Sequence, residues 1–187
     1  CISDRLYKNV LVLDFKSLYP SIIRTFKIDP MGLIEWLKAV SEQKLSHDKS
    51  EKLTDACLDD VISGFDGAYF SRKEHFLPGI IKSLWLERDK AKLQNDAALS
   101  QAIKIIMSSF YGVLGSTGCR FFDPRLSGSI TKRSHEILKQ TRFWIEKLGY
   151  QVIYGDTDSI FVSIGSDKSK KQAMKLGTEL RGYINDK

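Results

Sequence analysis

Three aspartates in this chain sit where side-chain chemistry is hard to explain as scaffolding. Asp156 and Asp158 share the short stretch Tyr154-Gly155-Asp156-Thr157-Asp158-Ser159, and Asp14 closes the apolar run from Asn9 to Phe15. Carboxylates brought together repel each other, and a divalent cation removes that repulsion, because clustered carboxylates are the usual oxygen ligands of Mg²⁺ and Mn²⁺. Two such groups on adjacent strand ends could hold two cations roughly 3.5–4 Å apart, the geometry of in-line phosphoryl transfer. Basic residues on two successive helices, Arg88 and Lys92 one turn apart on the first and Lys104 on the second, would neutralise departing phosphates. Residue chemistry alone therefore points to a metal-dependent phosphoryl or nucleotidyl transferase. Each residue also has a plainer explanation. Asp156 and Asp158 could belong to a solvated turn, Asp14 could cap a helix, and the three cations could line a solvated face.

The elements that must position these groups follow from periodicity. Asn9 to Phe15 fits a strand buried on both faces, with Asp14 at its C-terminal end. Ser17 as N-cap and Pro20 in a first turn begin a helix directly after it, exposing backbone N–H groups suited to phosphate. Residues 38–60 read as a polar surface insertion of helices and loops. From Phe76 to Asn95 the residues Ile81, Leu84, Trp85, Arg88 and Lys92 form one helical stripe. A second helix follows, with Ile103, Ile106, Phe110 and Val113 as its apolar face. Lys104, Ser108, Tyr111 and Gly115 lie along another face. Gly112, Gly115 and Gly118 are expected to break it, and Arg120 to Pro124 to form an extended link. A long helix over 127–148 then ends at Gly149. Strands at 150–154 and 159–164 flank the Asp156–Asp158 turn, and a helix runs from Lys170. This order fits an α+β layer, an antiparallel sheet backed by helices, in which Asp14 and Asp158 could meet.

The 187 residues carry 42% hydrophobic content, enough for a core, and a formal net charge of +6, which suits a polyanionic partner. Cys1, Cys57 and Cys119 form no Cys-x-x-Cys pair, which argues against a structural zinc site or a disulfide scaffold and suits a reducing cytosol. His47, His75 and His135 are isolated from one another, so no histidine-based nucleophile or metal cluster can be assembled. Neither a signal peptide nor a membrane-length apolar run is read from the sequence. The absence of an initiator Met suggests an excised region of a longer chain.

Three stretches resemble the motifs of B-family DNA polymerases. Asp14-Phe15-Lys16-Ser17-Leu18-Tyr19-Pro20-Ser21-Ile22-Ile23 resembles the first polymerase motif, Lys104 to Gly112 the second, and Tyr154 to Ser159 the third, in the family's order and rough spacing. Arg120 to Leu126 and Ile105-Ile106-Met107 look most like the bacterial polymerase II branch, whose work is repair and translesion synthesis. The resemblance implies a palm sheet with an inserted antiparallel helical-hairpin fingers subdomain. Palm would span 1–75 and 117–187, and fingers 76–116. It implies template-directed transfer of a nucleotide from dNTP to a primer 3′-hydroxyl, with pyrophosphate leaving in line. Two Mg²⁺ ions, replaceable by Mn²⁺, would be held by Asp14, Asp158 and the Phe15 carbonyl, with Asp156 as an auxiliary carboxylate. Backbone N–H groups of Ser17, Leu18 and Tyr19 would hold the triphosphate, with Tyr19 excluding a 2′-hydroxyl. Arg88, Lys92 and Lys104 would grip the phosphates, with Lys104 protonating pyrophosphate, while Tyr111 and Gly112 would line the nascent base pair. Ser108 stands where the family usually has Asn, which shortens a contact facing the triphosphate and implies weaker nucleotide binding.

The same resemblance implies primer-template DNA and dNTP as partners, a sliding clamp reached through other parts of the parent enzyme, no membrane, and the bacterial cytosol or nucleoid as location. It also implies a palm and fingers region with no exonuclease before Cys1 and no thumb, hence weak or absent activity in isolation. A nucleotidyl cyclase would explain the metals and triphosphate but not Tyr19 or the Lys104–Tyr111 face. A calcium loop starting at Asp156 fails because Ile160 and Phe161 occupy a ligand position and the glycine position. A non-catalytic DNA-binding module is the remaining rival, separated by whether DNA binding ignores chelator and Asp14.

Overall fold

The computed structural model describes residues 6–45 and 59–187. His47, Cys1, Cys57 and most of the expected insertion at 38–60 lie outside them. The elements in order are β1 (Val10–Asp14), α1 (Leu18–Thr25), α2 (Pro30–Leu45), β2 (Val61–Ser63), β3 (Tyr69–Ser71), α3 (Leu77–Leu93), α4 (Ala97–Leu114), α5 (Pro124–Lys147), β4 (Gln151–Asp156), β5 (Ser159–Ser163) and α6 (Lys170–Asn185). The chain divides into two compact units, Cys1–Lys16 with Ser134–Lys187, and Ser17–Arg133.

The first unit is an antiparallel sheet of order β1-β5-β4, with one face laid on α5 and α6. Alternation sets that face. Ile160 and Val162 of the central strand, with Ile164 just past it, pack onto Ile145, Leu176 and Leu180, and Leu11 and Leu13 of β1 join them with Phe15 just beyond. Each fully buried side chain of this size contributes roughly 1.5–3 kcal/mol. The opposite face is open. Val12 is 54% exposed, so the expectation that β1 is buried on both faces is corrected: β1 pairs only with β5 and is covered on one side. Ser169 starts α6 with a capping box to Gln172, and Gly149, at φ +87, follows α5 in the left-handed conformation that closes helices.

The second unit packs α1 against α3 and α4, and α2 against β3. Its core includes Ile22, Ile23, Leu33, Phe70, Ile81, Met107 and Ile130. The hairpin β2–β3 was not anticipated from sequence; the Phe65 N–H donates to Ser129 Oγ at 3.1 Å, tying its loop to α5. The expected stripe on α3 holds over most of its length: Ile81 is buried and Leu84, Trp85 and Arg88 are half-buried, but Lys92 is exposed and Ala91 is buried instead. On α4 the inward face differs from expectation. Ile103, Met107 and Leu114 are buried, whereas Ile106 and Val113 are 47% and 49% exposed. In a run as uniformly apolar as Ile105-Ile106-Met107, contact with neighbours rather than pattern chooses the face. Gly112 lies inside α4, and the helix ends at Leu114 with Gly115 as its C-cap. The stretch 116–122 forms turns rather than an extended link, with Cys119 N–H donating to Ser116 O and Phe122 N–H to Cys119 O. The reading that no apolar run reaches membrane length is also corrected. By length and composition α4 qualifies, at mean hydropathy 1.3, the one such helix among the described residues.

Candidate active site

The carboxylates come together in the first unit through strand register. Asp14 is the Cα partner of Ser159 across β1–β5, and Asp156 is the partner of Ser159 across β4–β5. Directly paired residues point to the same face, so Asp14, Ser159 and Asp156 form one row on the open face of the sheet. For Asp156 this depends on an irregularity. The β4–β5 register shifts between Val152 and Tyr154, leaving Ile153 as an extra residue. Val152 pairs with inward Val162, but Tyr154 pairs with outward Phe161, so the bulge turns Tyr154 and Asp156 to the open side. Without it, both would face α5.

Ser159 Oγ donates to Asp14 Oδ1 at 3.0 Å and lies 3.5 Å from Asp158 Oδ1, so one hydroxyl stands between the two predicted metal ligands. The Phe15 N–H donates to Asp158 O at 2.8 Å, carrying the β1–β5 pairing one residue past the strands and fixing Phe15 beside the turn. The turn itself is strained. Thr157 has φ 46, a left-handed value costly for a β-branched residue. Its carbonyl accepts from Ser134 Oγ at 3.2 Å, and its own Oγ1 donates to Asp156 Oδ1 at 3.0 Å. Ser134 is 1% exposed on α5, so the hairpin tip is anchored from beneath.

Among the described residues no three acidic, histidine or cysteine side chains cluster as a cation cage of their own. Asp14 is exposed and Asp158 half-buried. Two accessible carboxylates with a neighbouring carbonyl fit Mg²⁺, which dehydrates reluctantly and completes its octahedron with water and substrate phosphate.

In the second unit, Ser17 occupies the N-cap position of α1 but in the left-handed region, φ 53 and ψ 55, and its side chain makes no capping bond. This corrects the expected capping role. Ser17 Oγ instead accepts from Arg88 Nη1 at 3.3 Å, and Arg88 Nε is buried without a protein hydrogen-bond partner. Tyr19 is stacked on Tyr111, ring centroids 4.6 Å apart, which joins two residues expected to surround the nucleotide. Lys92 forms an ion pair with Asp89 at 3.4 Å. Lys104 and Ser108 share an open groove on α4 with Gln101, Ile105 and Ser109. Gly112 is exposed, and a Cβ there would meet nothing within 4 Å. At the start of α5, Asp123 accepts from Arg125 Nε and Nη2 at 2.9 and 2.7 Å. The Arg125 side-chain hydrogen bonds hold the Asp123 carboxyl below its usual range.

Sequence reasoning quoted Ser159 within a motif but gave it no role, and it missed Ser134 and Asp29. Asp29 could have been found: Asp followed by Pro30 at the first helical position is a helix-start signature.

The fold is α+β, and its sheet brings Asp14, Ser159 and Asp156 into one row beside the Asp156–Asp158 turn. The profile of DNA polymerase family B matches residues 3–187, and the chain belongs to that family. It is 52% identical over 180 residues to DNA polymerase II of Escherichia coli, covering 96% of this chain and 21% of that protein. It is 34% identical over 199 residues to the DNA polymerase alpha catalytic subunit of Sterkiella nova, covering 96% of this chain and 13% of that one. Among solved structures it resembles the family B DNA polymerase from Pyrobaculum calidifontis, with TM-score 0.62 and 27% identity over 94% of this chain and 23% of the other. The chain thus spans between about an eighth and a quarter of the length of these relatives.

Proposed function

We propose that this chain is the nucleotidyl-transfer region of a template-directed DNA polymerase, joining a dNTP to a primer 3′-hydroxyl with release of pyrophosphate. Its sheet unit, with β1, β4 and β5, acts as palm, and the α3–α4 hairpin at 76–116 as fingers. Repair or translesion replication is the setting that the likeness to bacterial polymerase II suggests. The observation that carries the reading is the Asp14–Ser159–Asp158 arrangement inside a chain that the family profile matches almost throughout.

Asp14 and Asp158, with the Phe15 carbonyl, would hold Mg²⁺, which when bound supplies charge stabilisation and orientation for in-line displacement. The chain's own residues do the rest. The bulge at Ile153 turns Asp156 toward the same open face as an auxiliary carboxylate. Arg88 lies beside the N-terminus of α1, where backbone N–H groups and the helix dipole favour an anion, and its guanidinium would meet a phosphate oxygen there. Tyr19, braced by Tyr111, presents a fixed ring against the sugar. Lys92 and Lys104 are accessible to the leaving phosphates, and Lys104 can give pyrophosphate a proton.

The test is extension of a primed template by the full-length enzyme with Mg²⁺ or Mn²⁺, run beside a reaction without template. Products whose sequence follows the template support the reading. Template-independent cyclisation of the nucleotide, or DNA binding with no metal-dependent extension, overturns it.

A further inference from the structure

Asp29 is the one buried acidic or basic side chain among the described residues, 1% exposed, and each of its oxygens serves a different helix. Oδ1 accepts from the Met31 and Gly32 N–H groups at 2.8 and 3.2 Å, in the first turn of α2. Oδ2 accepts from the Phe76 and Leu77 N–H groups at 3.0 and 2.6 Å, where α3 begins. Helix N-termini leave N–H groups unsatisfied and carry partial positive charge, so a single carboxylate between two of them answers both needs. For α3 it substitutes for a cap of its own, because Phe76 at the N-cap offers no side-chain bond.

The consequence lies about 16 Å along α3, at 1.5 Å per residue from Leu77. There Arg88 Nη1 reaches Ser17 Oγ, on the other side of α1 from Asp29 in the chain. Besides packing on α1, where the Arg24 guanidinium lies 5.0 Å over the Trp85 ring, helix α3 is tied to the α1–α2 segment by side-chain hydrogen bonds at two points. Two hydrogen bonds from the start of α3 form the tie at Asp29, whose other oxygen holds two N–H groups of α2, and one bond of 3.3 Å forms the tie at Ser17.

We propose that Asp29 is a positioning residue for nucleotide binding: by fixing the start of α3 to α2, it places Arg88 where its guanidinium can meet a phosphate. This rests on the reading of Arg88 as a phosphate ligand. A carboxylate is required because Asn at this position keeps one acceptor oxygen, while its NH₂ would confront two N–H donors and push the start of α3 away. A misplacement on the order of 1 Å can cost up to about a hundredfold, and a partial one about tenfold.

The experiment is a double-mutant cycle on dNTP KM in the full-length enzyme, using Asp29→Asn, Arg88→Ala and the double variant, each shown to be folded by circular dichroism at the assay temperature. Asp29→Asn is expected to raise KM about tenfold and to add less than twofold in the Arg88→Ala background, because the two changes disable the same contact. A generic loss of stability would not vanish in that background. Wild-type KM in folded Asp29→Asn, or the full factor retained on top of Arg88→Ala, overturns the proposal. If Arg88→Ala alone leaves KM unchanged, the phosphate reading of Arg88 fails and the role of Asp29 falls with it. Should Asp29→Asn not fold, Asp29→Glu, which keeps the carboxylate on a stem one methylene longer, enters the same cycle with the same expectations.

Discussion

Replacing Ser159 with alanine removes a single hydroxyl and leaves both strands and both carboxylates in place. That hydroxyl donates to Asp14 at 3.0 Å; the 3.5 Å approach to Asp158 exceeds the ordinary range for an O–H···O bond. One bond to a charged acceptor is therefore lost. Such bonds are worth about 1.5–3 kcal/mol net, and the exposure of Asp14 lets water replace part of this, leaving roughly 0.7–1.4 kcal/mol. Groups that orient metal ligands are felt mainly in metal affinity. The expected outcome is a rise of about three- to tenfold in the Mg²⁺ concentration giving half-maximal primer extension, with the rate at saturating Mg²⁺ within about twofold of wild type. The assay is a Mg²⁺ titration of single-nucleotide incorporation at saturating dNTP and DNA. A variant with unchanged Mg²⁺ dependence and a depressed maximal rate would refute the reasoning, because Ser159 would then act on the chemical step rather than on Asp14.

Other consequences are open to direct measurement. In Gly32→Ala the new Cβ would lie 3.0 Å from Ser71 N and 3.2 Å from Glu74 O, both backbone atoms, so the expected cost is about 1–3 kcal/mol, read from denaturant unfolding. Asp123 has its folded pKa below the unfolded value near 3.8, so its pairing with Arg125 adds stability above that pH and loses it as pH falls through the folded value. With both side chains about a quarter exposed, Arg125→Ala should lower Tm by about 1–3 °C near pH 6, and the difference should close as pH falls through the folded pKa of Asp123. Ser108→Asn is expected to lower dNTP KM several-fold by lengthening the polar contact from α4. An unchanged KM would remove Ser108 from the nucleotide site.

Local physics made much of this molecule readable. The hairpin around Asp156–Asp158 was legible because β-branched and aromatic runs flank a short polar turn, and α3 because Ile81, Leu84, Trp85 and Arg88 repeat at helical spacing. Other features arise only from tertiary pairing. The bulge at Ile153 inverts the faces of Tyr154 and Asp156, and no alternation pattern in the sequence announces it. Ser17 has the residue type of an N-cap, yet its left-handed backbone directs the hydroxyl to Arg88, a partner 71 positions away. On α4, adjacent apolar residues left the inward face undetermined until α3 and α1 packed against it. The left-handed residue of the Asp156–Asp158 turn is Thr157 rather than Gly155, so turn chemistry located the hairpin without revealing its strain.

The central claim is that Asp14 and Asp158 together serve the chemical step. Single-turnover primer extension by the full-length enzyme and its Asp14→Ala and Asp158→Ala forms, with DNA affinity measured in parallel, tests it most directly. Loss of at least about a thousandfold in rate for each variant at wild-type DNA affinity, about 4 kcal/mol at 1.36 kcal/mol per tenfold, is the predicted result. Undiminished extension by either variant would contradict the account and place the metal site elsewhere.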